Sequence, residues 1–268
     1  MEILKKKIQE ELNGFHGRVG LAIDLDDIKP IYLNSQEVFQ SASLIKIPIL
    51  LSVQLAHHKG KIDIQQQVTI PSENKVGGSG VLQALSNGFT LSVKDLMTLM
   101  IIVSDNTATN ILIDLLGIHA INARFQEMGL KQTKLNRKMM DFSMIKQGKD
   151  NQTTPEEIIH CLKLVNEFND HFGIDGQNIA KEILKHQQFR EKLPALVDED
   201  KITVFNKTGE LSNVEHDCAI FDCQGRIGYV AVLMDRFNDQ ENAKQTIRKI
   251  GKHIYDFFIR TQTDLGTS

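Results

Sequence analysis

No apolar run in the sequence approaches the roughly 20 residues that a membrane-spanning helix needs, so no membrane partner is expected. There is no basic stripe either. The 31 Lys and Arg are scattered among 34 Asp and Glu, leaving a net charge of −3. Nucleic-acid binding asks for a concentrated positive face, and a nucleic-acid partner is not expected. Cysteine is scarce: Cys161, Cys218 and Cys223 are odd in number and lack metal-type spacing. Free, partly buried thiols are expected rather than a disulfide. No His/Asp/Glu cluster suggests a metal, and no cofactor is expected. The first residues lack the apolar stretch and small-residue cleavage site of an export signal. As written, the sequence predicts a cytoplasmic protein, or a secreted one if its start has been trimmed. Without a coiled-coil seam or long exposed apolar stripe, a monomer is the expectation.

What is present is ordinary globular material: 268 residues, 41% hydrophobic and 24% charged, enough to bury a sizeable core as one large domain or two. Met1 to Glu11 reads as an amphipathic helix with Ile3, Leu4, Ile8 and Leu12 on one face. Val19, Leu21, Ile23 and Leu25 alternate as a strand does. A turn at Asp26-Asp27 and a short strand at Ile31-Tyr32-Leu33 complete a hairpin. From Ser43 the chain is apolar all round, as in a buried helix. A Gly/Ser-rich loop spans Pro71 to Asn87, a helix follows from Thr90 to Val103, and another runs from Asn106 to a stop at Gly117. Residues 131–152 are polar and aperiodic, and a helix begins at Thr153-Thr154-Pro155. Three strands, Ile202–Asn206, Val214–Phe221 and Ile227–Met234, precede a closing helix from Gln240 to Phe258. The expected class is α+β: an antiparallel sheet from both termini (1–36 and 188–268), flanked by the terminal helices, with an inserted all-helical domain (37–187).

Three short motifs fall in order on these elements. Ser43-Leu44-Ile45-Lys46 opens the buried helix, Ser104-Asp105-Asn106 sits between two helices, and Lys207-Thr208-Gly209 ends a strand. Each alone is weak; their order is the signal. Residues i and i+3 share a helix face, so Lys46 can reach the Ser43 hydroxyl, and a serine at neutral pH needs such a base. Burial and a second cation such as Lys207 disfavour the charged form of Lys46. Backbone N–H groups at the helix start can bind an oxyanion.

The set resembles that of class A β-lactamases and penicillin-binding proteins, and the resemblance covers nearly the whole chain. It implies a serine hydrolase acylated at Ser43 and acting on a small molecule, a β-lactam or an acyl ester or amide. By the same resemblance the N–H of Glu210 is the second oxyanion donor and Ser104 relays a proton to the leaving nitrogen. Asn106 binds the substrate's amide and orients Lys46, while Lys207 and Thr208 hold the substrate carboxylate.

The chain departs from that pattern at three positions. Class A enzymes place a water-activating glutamate two residues after an arginine in an Ω-type loop; here Arg137 is followed by Met139, and a thioether is no general base. Asn151 stands where the family has the aspartate that pairs with the arginine. Either Asp141, displaced by two residues, supplies the carboxylate, or deacylation is slow or relies on Lys46 with water, and the protein behaves as a D,D-peptidase, an esterase or a non-catalytic β-lactam sensor. In addition, His216, beside Asp217, occupies the place of a carboxylate-anchoring arginine and is expected to be a weaker anchor.

Overall fold

A computed structural model describes residues 2–26, 28–167, 169 and 171–265; Met1 of the expected first helix and Asp27 of the expected turn lie outside them. The chain begins with α1 (Glu2–Asn13), β1 (Arg18–Leu25), β2 (Ile31–Leu33) and β3 (Phe39–Gln40). A 3-10 turn at Ala42–Ile45 then feeds α2 (Lys46–His58), whose residues Lys46 to Ala56 are all buried. Next come β4 (Gln67–Thr69), β5 (Thr90–Ser92), α3 (Val93–Ile102), α4 (Asn106–Leu116) and α5 (Ile118–Glu127). The stretch α6 (Phe142–Lys146), β6 (Gln152–Thr153), α7 (Pro155–Asn166) and α8 (Gly173–Lys185) leads to β7 (Thr203–Leu211), β8 (Val214–Cys223), β9 (Arg226–Asp235) and α9 (Gln240–Leu265).

The main sheet is antiparallel throughout, in the order β2-β1-β9-β8-β7. Alternation along β8 sends Cys218 and Ile220 to one face and Ala219, Phe221 and Cys223 to the other. The first face joins the core built on α2, α3, α4 and α7. The second packs on α1 and α9 through Leu4, Ile8, Ile247, Ile254 and Phe258. The sheet is thus buried on both sides, and its open edge, β7, lies against the 3-10 turn that carries Ser43.

Three local expectations change. Thr90–Ser92 is a strand paired with Gln67–Thr69, not the start of a helix. Ser92 is the cap of α3: its hydroxyl accepts from Asp95 N–H (3.0 Å) while the Asp95 carboxylate accepts from Ser92 N–H (3.2 Å), a reciprocal capping box. The middle region is not purely helical, since β3 also pairs with β6. Lys207-Thr208-Gly209 lies inside a strand, because β7 runs on to Leu211 against Val214. The Thr154 cap with Pro155 in the first turn and the stop at Gly117 stand where the sequence puts them. Cys161, Cys218 and Cys223 are all buried, and no disulfide joins any two of them. Among the described residues no helix is long and apolar enough to cross a membrane.

Candidate active site

Two strained backbone positions set up the centre. Ala42, immediately before Ser43, has φ 44°, and Ser104 has φ 54°. Left-handed conformations cost non-glycine residues about 1–3 kcal/mol each and persist where surrounding structure enforces them. Around Ser104 the enforcement comes from Asp105. One of its oxygens caps α4 through Ala108 N–H (2.9 Å); the other accepts from Val81 N–H (2.7 Å) and Leu82 N–H (2.9 Å). This pins the 76–82 loop over the site. Gly80 belongs to the same lock: its φ is +109°, and a Cβ there would lie 2.3 Å from the Asp105 carboxylate.

The three sequence motifs converge. Lys46 Nζ donates to Ser104 O (2.6 Å), Ser104 Oγ (3.0 Å) and Asn106 Oδ1 (2.8 Å). Lys207 Nζ donates to the same Ser104 Oγ (3.1 Å) and to Thr208 O (2.7 Å). One hydroxyl therefore sits between two lysines, both with no exposed surface. Burial, reinforced by the Lys207 charge, holds Lys46 well below the ordinary lysine range. Burial also brings Lys207 down to about 7. Ser43, by contrast, is partly exposed. It lines a cleft of about 510 Å³ with Ser79, Ser104, Thr208, Glu210 and Gln240. Among the described residues its hydroxyl has no hydrogen-bond partner: the contact expected from Lys46 is not made, because the Lys46 ammonium is bonded to Ser104 and Asn106 instead. As an ammonium, Lys46 spends its three protons on Ser104 and Asn106; as an amine it has a lone pair to offer.

Gly209 presses this wall onto the nucleophile turn. A Cβ at Gly209 would lie 3.3 Å from Ala42 Cβ and 3.3 Å from Leu44 Cγ, the two neighbours of Ser43. Asn106 also gives its amide to Gly77 O (3.1 Å), which ties it to the loop above the cleft.

His216 is not where a substrate anchor must be. The ring has no exposed surface. Its Nδ1 accepts from Met234 N–H (3.1 Å), which leaves the proton on Nε2 for Gln40 O (2.8 Å). Both nitrogens are used, and burial lowers its pKa to about 4, so the ring is neutral. Nor does it pair with Asp217, which points to the opposite face and accepts from Leu193 N–H (2.9 Å). The expected carboxylate anchor is instead a strut between β8 and the segment leading into Ser43.

The loop 131–152 closes through Lys134 and Gln152, which exchange backbone hydrogen bonds of 3.0 and 3.1 Å. Arg137 does have its carboxylate partner: Asp150, at 2.7 Å, one residue before the expected place. Asn151 instead accepts from Asn136 N–H (2.8 Å) and Arg137 N–H (3.0 Å). Met139 is held at both ends by Asn110, whose Oδ1 accepts from Met139 N–H (2.7 Å) and whose amide donates to Met139 O (3.1 Å). The Met139 side chain belongs to the helical core. Asp141 caps α6, one oxygen accepting from Met144 N–H (3.1 Å). Sequence reasoning alone does not single out Asp150 or Asn110. The nearest signals for them are an Asp beside the mismatched Asn151 and a polar residue on a buried turn of α4.

The sequence profile of the Beta-lactamase enzyme family matches residues 3–258. PER-1, an extended-spectrum β-lactamase of Pseudomonas aeruginosa, is 28% identical over 136 residues, 49% of this chain. That match spans 44% of PER-1, less than half its length. A β-lactamase from Sphaerobacter thermophilus superposes with a TM-score of 0.85 at 26% identity, covering 95% of this chain and 96% of that one. PBP-A, solved as an acyl-enzyme complex of a variant with penicillin G, gives 0.85 at 26% identity over 97% of both chains. With the profile running almost end to end and the fold shared across whole chains, this chain belongs to the β-lactamase enzyme family.

Proposed function

We propose that the protein is a serine hydrolase that opens β-lactam rings by acylation at Ser43 and releases the product slowly. The observation that carries this reading is the Ser104 hydroxyl, 3.0 Å from Lys46 Nζ and 3.1 Å from Lys207 Nζ, in the cleft lined by Ser43. Lys46, its charged form disfavoured, takes the Ser43 proton as Oγ attacks the lactam carbonyl. Negative charge develops on the carbonyl oxygen against the N–H groups of Ser43 and Glu210. As the C–N bond breaks, Ser104 passes its proton to the leaving nitrogen and recovers one from Lys46. Lys207 and Thr208 hold the substrate carboxylate.

Release needs an activated water. Met139 cannot accept its proton, and Asp141 is engaged as a helix cap, so the acyl-enzyme accumulates. The likeness to PBP-A, a variant of which was solved as an acyl-enzyme with penicillin G, supports the acylation step. A chromogenic cephalosporin under excess substrate tests it. A burst of about one equivalent followed by a slow steady rate is expected; absence of any colour change would refute ring opening.

Two further outcomes follow from the site. Because Lys207 loses its charge as pH rises through about 7, the acylation constant of a lactam with a free carboxylate is expected to fall, relative to that of its methyl ester, above that pH. A pH-independent ratio would remove Lys207 from carboxylate binding. Asp141→Asn, which keeps a capping oxygen, is expected to leave the adduct lifetime unchanged. A markedly longer lifetime, measured by intact mass, would place Asp141 in deacylation.

A further inference from the structure

A buried ion pair lies behind the Gly209–Glu210 peptide of β7. Lys192 and Glu215 both have side chains with no exposed surface, and their charged ends meet in a short contact. Lys192 Nζ also lies 3.3 Å from Gly209 O and 3.2 Å from His216 O. Gly209 and His216 are directly paired across β7 and β8. In an antiparallel ladder, paired residues point their carbonyls either toward each other or to opposite sides of the two strands. One ammonium can reach both oxygens only in the first case, so the Gly209 carbonyl faces β8. A trans peptide holds its C=O and N–H on opposite sides. The N–H of the Gly209–Glu210 peptide therefore faces the open edge of β7, where Ser43 sits.

We infer that Lys192, held by Glu215, is a positioning residue for the oxyanion site: its ammonium fixes and polarises the Gly209–Glu210 peptide, so that the Glu210 N–H becomes a stronger donor to the substrate carbonyl. This deepens the proposed function and rests on acylation at Ser43. A cation on the carbonyl oxygen draws charge through the amide and strengthens hydrogen bonding by the N–H at its other end. The arrangement also answers a local difficulty. The Glu210 carboxylate stands near its own N–H and would oppose a developing oxyanion. It lies 3.7 Å from Lys192 and 3.3 Å from Lys244, which offset its charge.

Removing Lys192 alone would leave the buried Glu215 with Lys244, 3.5 Å away, as its remaining counter-charge, so the test replaces both: Lys192→Met with Glu215→Leu, an apolar pair of similar volume. Each protein is acylated with a penicillin labelled with ¹³C at the lactam carbonyl, and the ester carbonyl stretch is read by difference infrared spectroscopy. The double variant is expected to move that stretch to higher wavenumber, and to slow the first-order acylation step about tenfold with the dissociation constant of the pre-covalent complex unchanged. Glu215→Gln, which keeps Lys192 with an amide oxygen in place of the carboxylate and Glu210 as its remaining counter-charge, is expected to retain the wild-type frequency. An unchanged stretch in the double variant overturns the inference. So does an equal shift in Glu215→Gln, which would mean general loosening. If wild-type protein gives no ester band at all, the reading of Ser43 falls, and this inference with it.

Discussion

Ser43→Ala is expected to form no covalent adduct with any penicillin and to lower β-lactam turnover by a factor on the order of 10⁴–10⁶, the scale seen when a serine nucleophile is removed. The size of this effect rests on what the substitution leaves in place. Ser43 is partly exposed and its hydroxyl makes no hydrogen bond among the described residues, so its loss removes no packing and no buried bond. Lys46, Ser104, Asn106 and Lys207 bond to one another rather than to Ser43. The variant is therefore expected to melt within a few degrees of wild type and still to bind lactams reversibly. Differential scanning fluorimetry and intact-mass spectrometry check both halves. An adduct persisting in Ser43→Ala would transfer the nucleophile to another residue, with Ser104 the first to be examined.

The second large effect concerns release. Met139→Glu is expected to shorten the acyl-enzyme lifetime about 10²-fold or more, the scale of a positioned general base. The backbone there is already fixed: Asn110 binds Met139 N–H and O, and the Arg137–Asp150 pair and Asn151 brace the loop on either side. What the loop lacks at this position is a group that can take a proton from water. A cost accompanies the gain. Met139 is only 7% exposed, so part of the new carboxylate is buried beside apolar neighbours and stability is expected to drop. The lifetime after a stoichiometric pulse of penicillin separates the two effects, since it is independent of the amount of folded protein. An unchanged lifetime would mean that deacylation is limited elsewhere.

Features carried by contiguous residues are legible in the amino-acid sequence. The Thr154-Pro155 helix start and the Gly117 stop are local, and so are Ser43 and Lys46, one helical turn apart. The ordering of the three motifs implies their convergence. Features that depend on distant partners are not legible. The strands β3 and β6 are two residues each, too short for periodicity, and they meet only because Phe39 and Thr153 are brought together by the fold. Thr90 and Ser92 are equally good caps by composition. Pairing of Thr90 with Thr69 decides between them. His216 reads as a half-charged anchor because it falls where the resemblance puts an arginine, beside Asp217. Its neighbours in space, Gln40 and Met234, make it a neutral strut. The Lys192–Glu215 pair joins two separate segments and is invisible without the register of β7 and β8.

Acylation at Ser43 is tested most directly by intact-mass spectrometry of the wild-type protein after brief exposure to penicillin G, followed by peptide mapping. Addition of one whole penicillin mass, located on the peptide that contains Ser43 and lost only slowly on standing, is the predicted result. A protein that shows neither added mass nor ring-opened product would contradict the account.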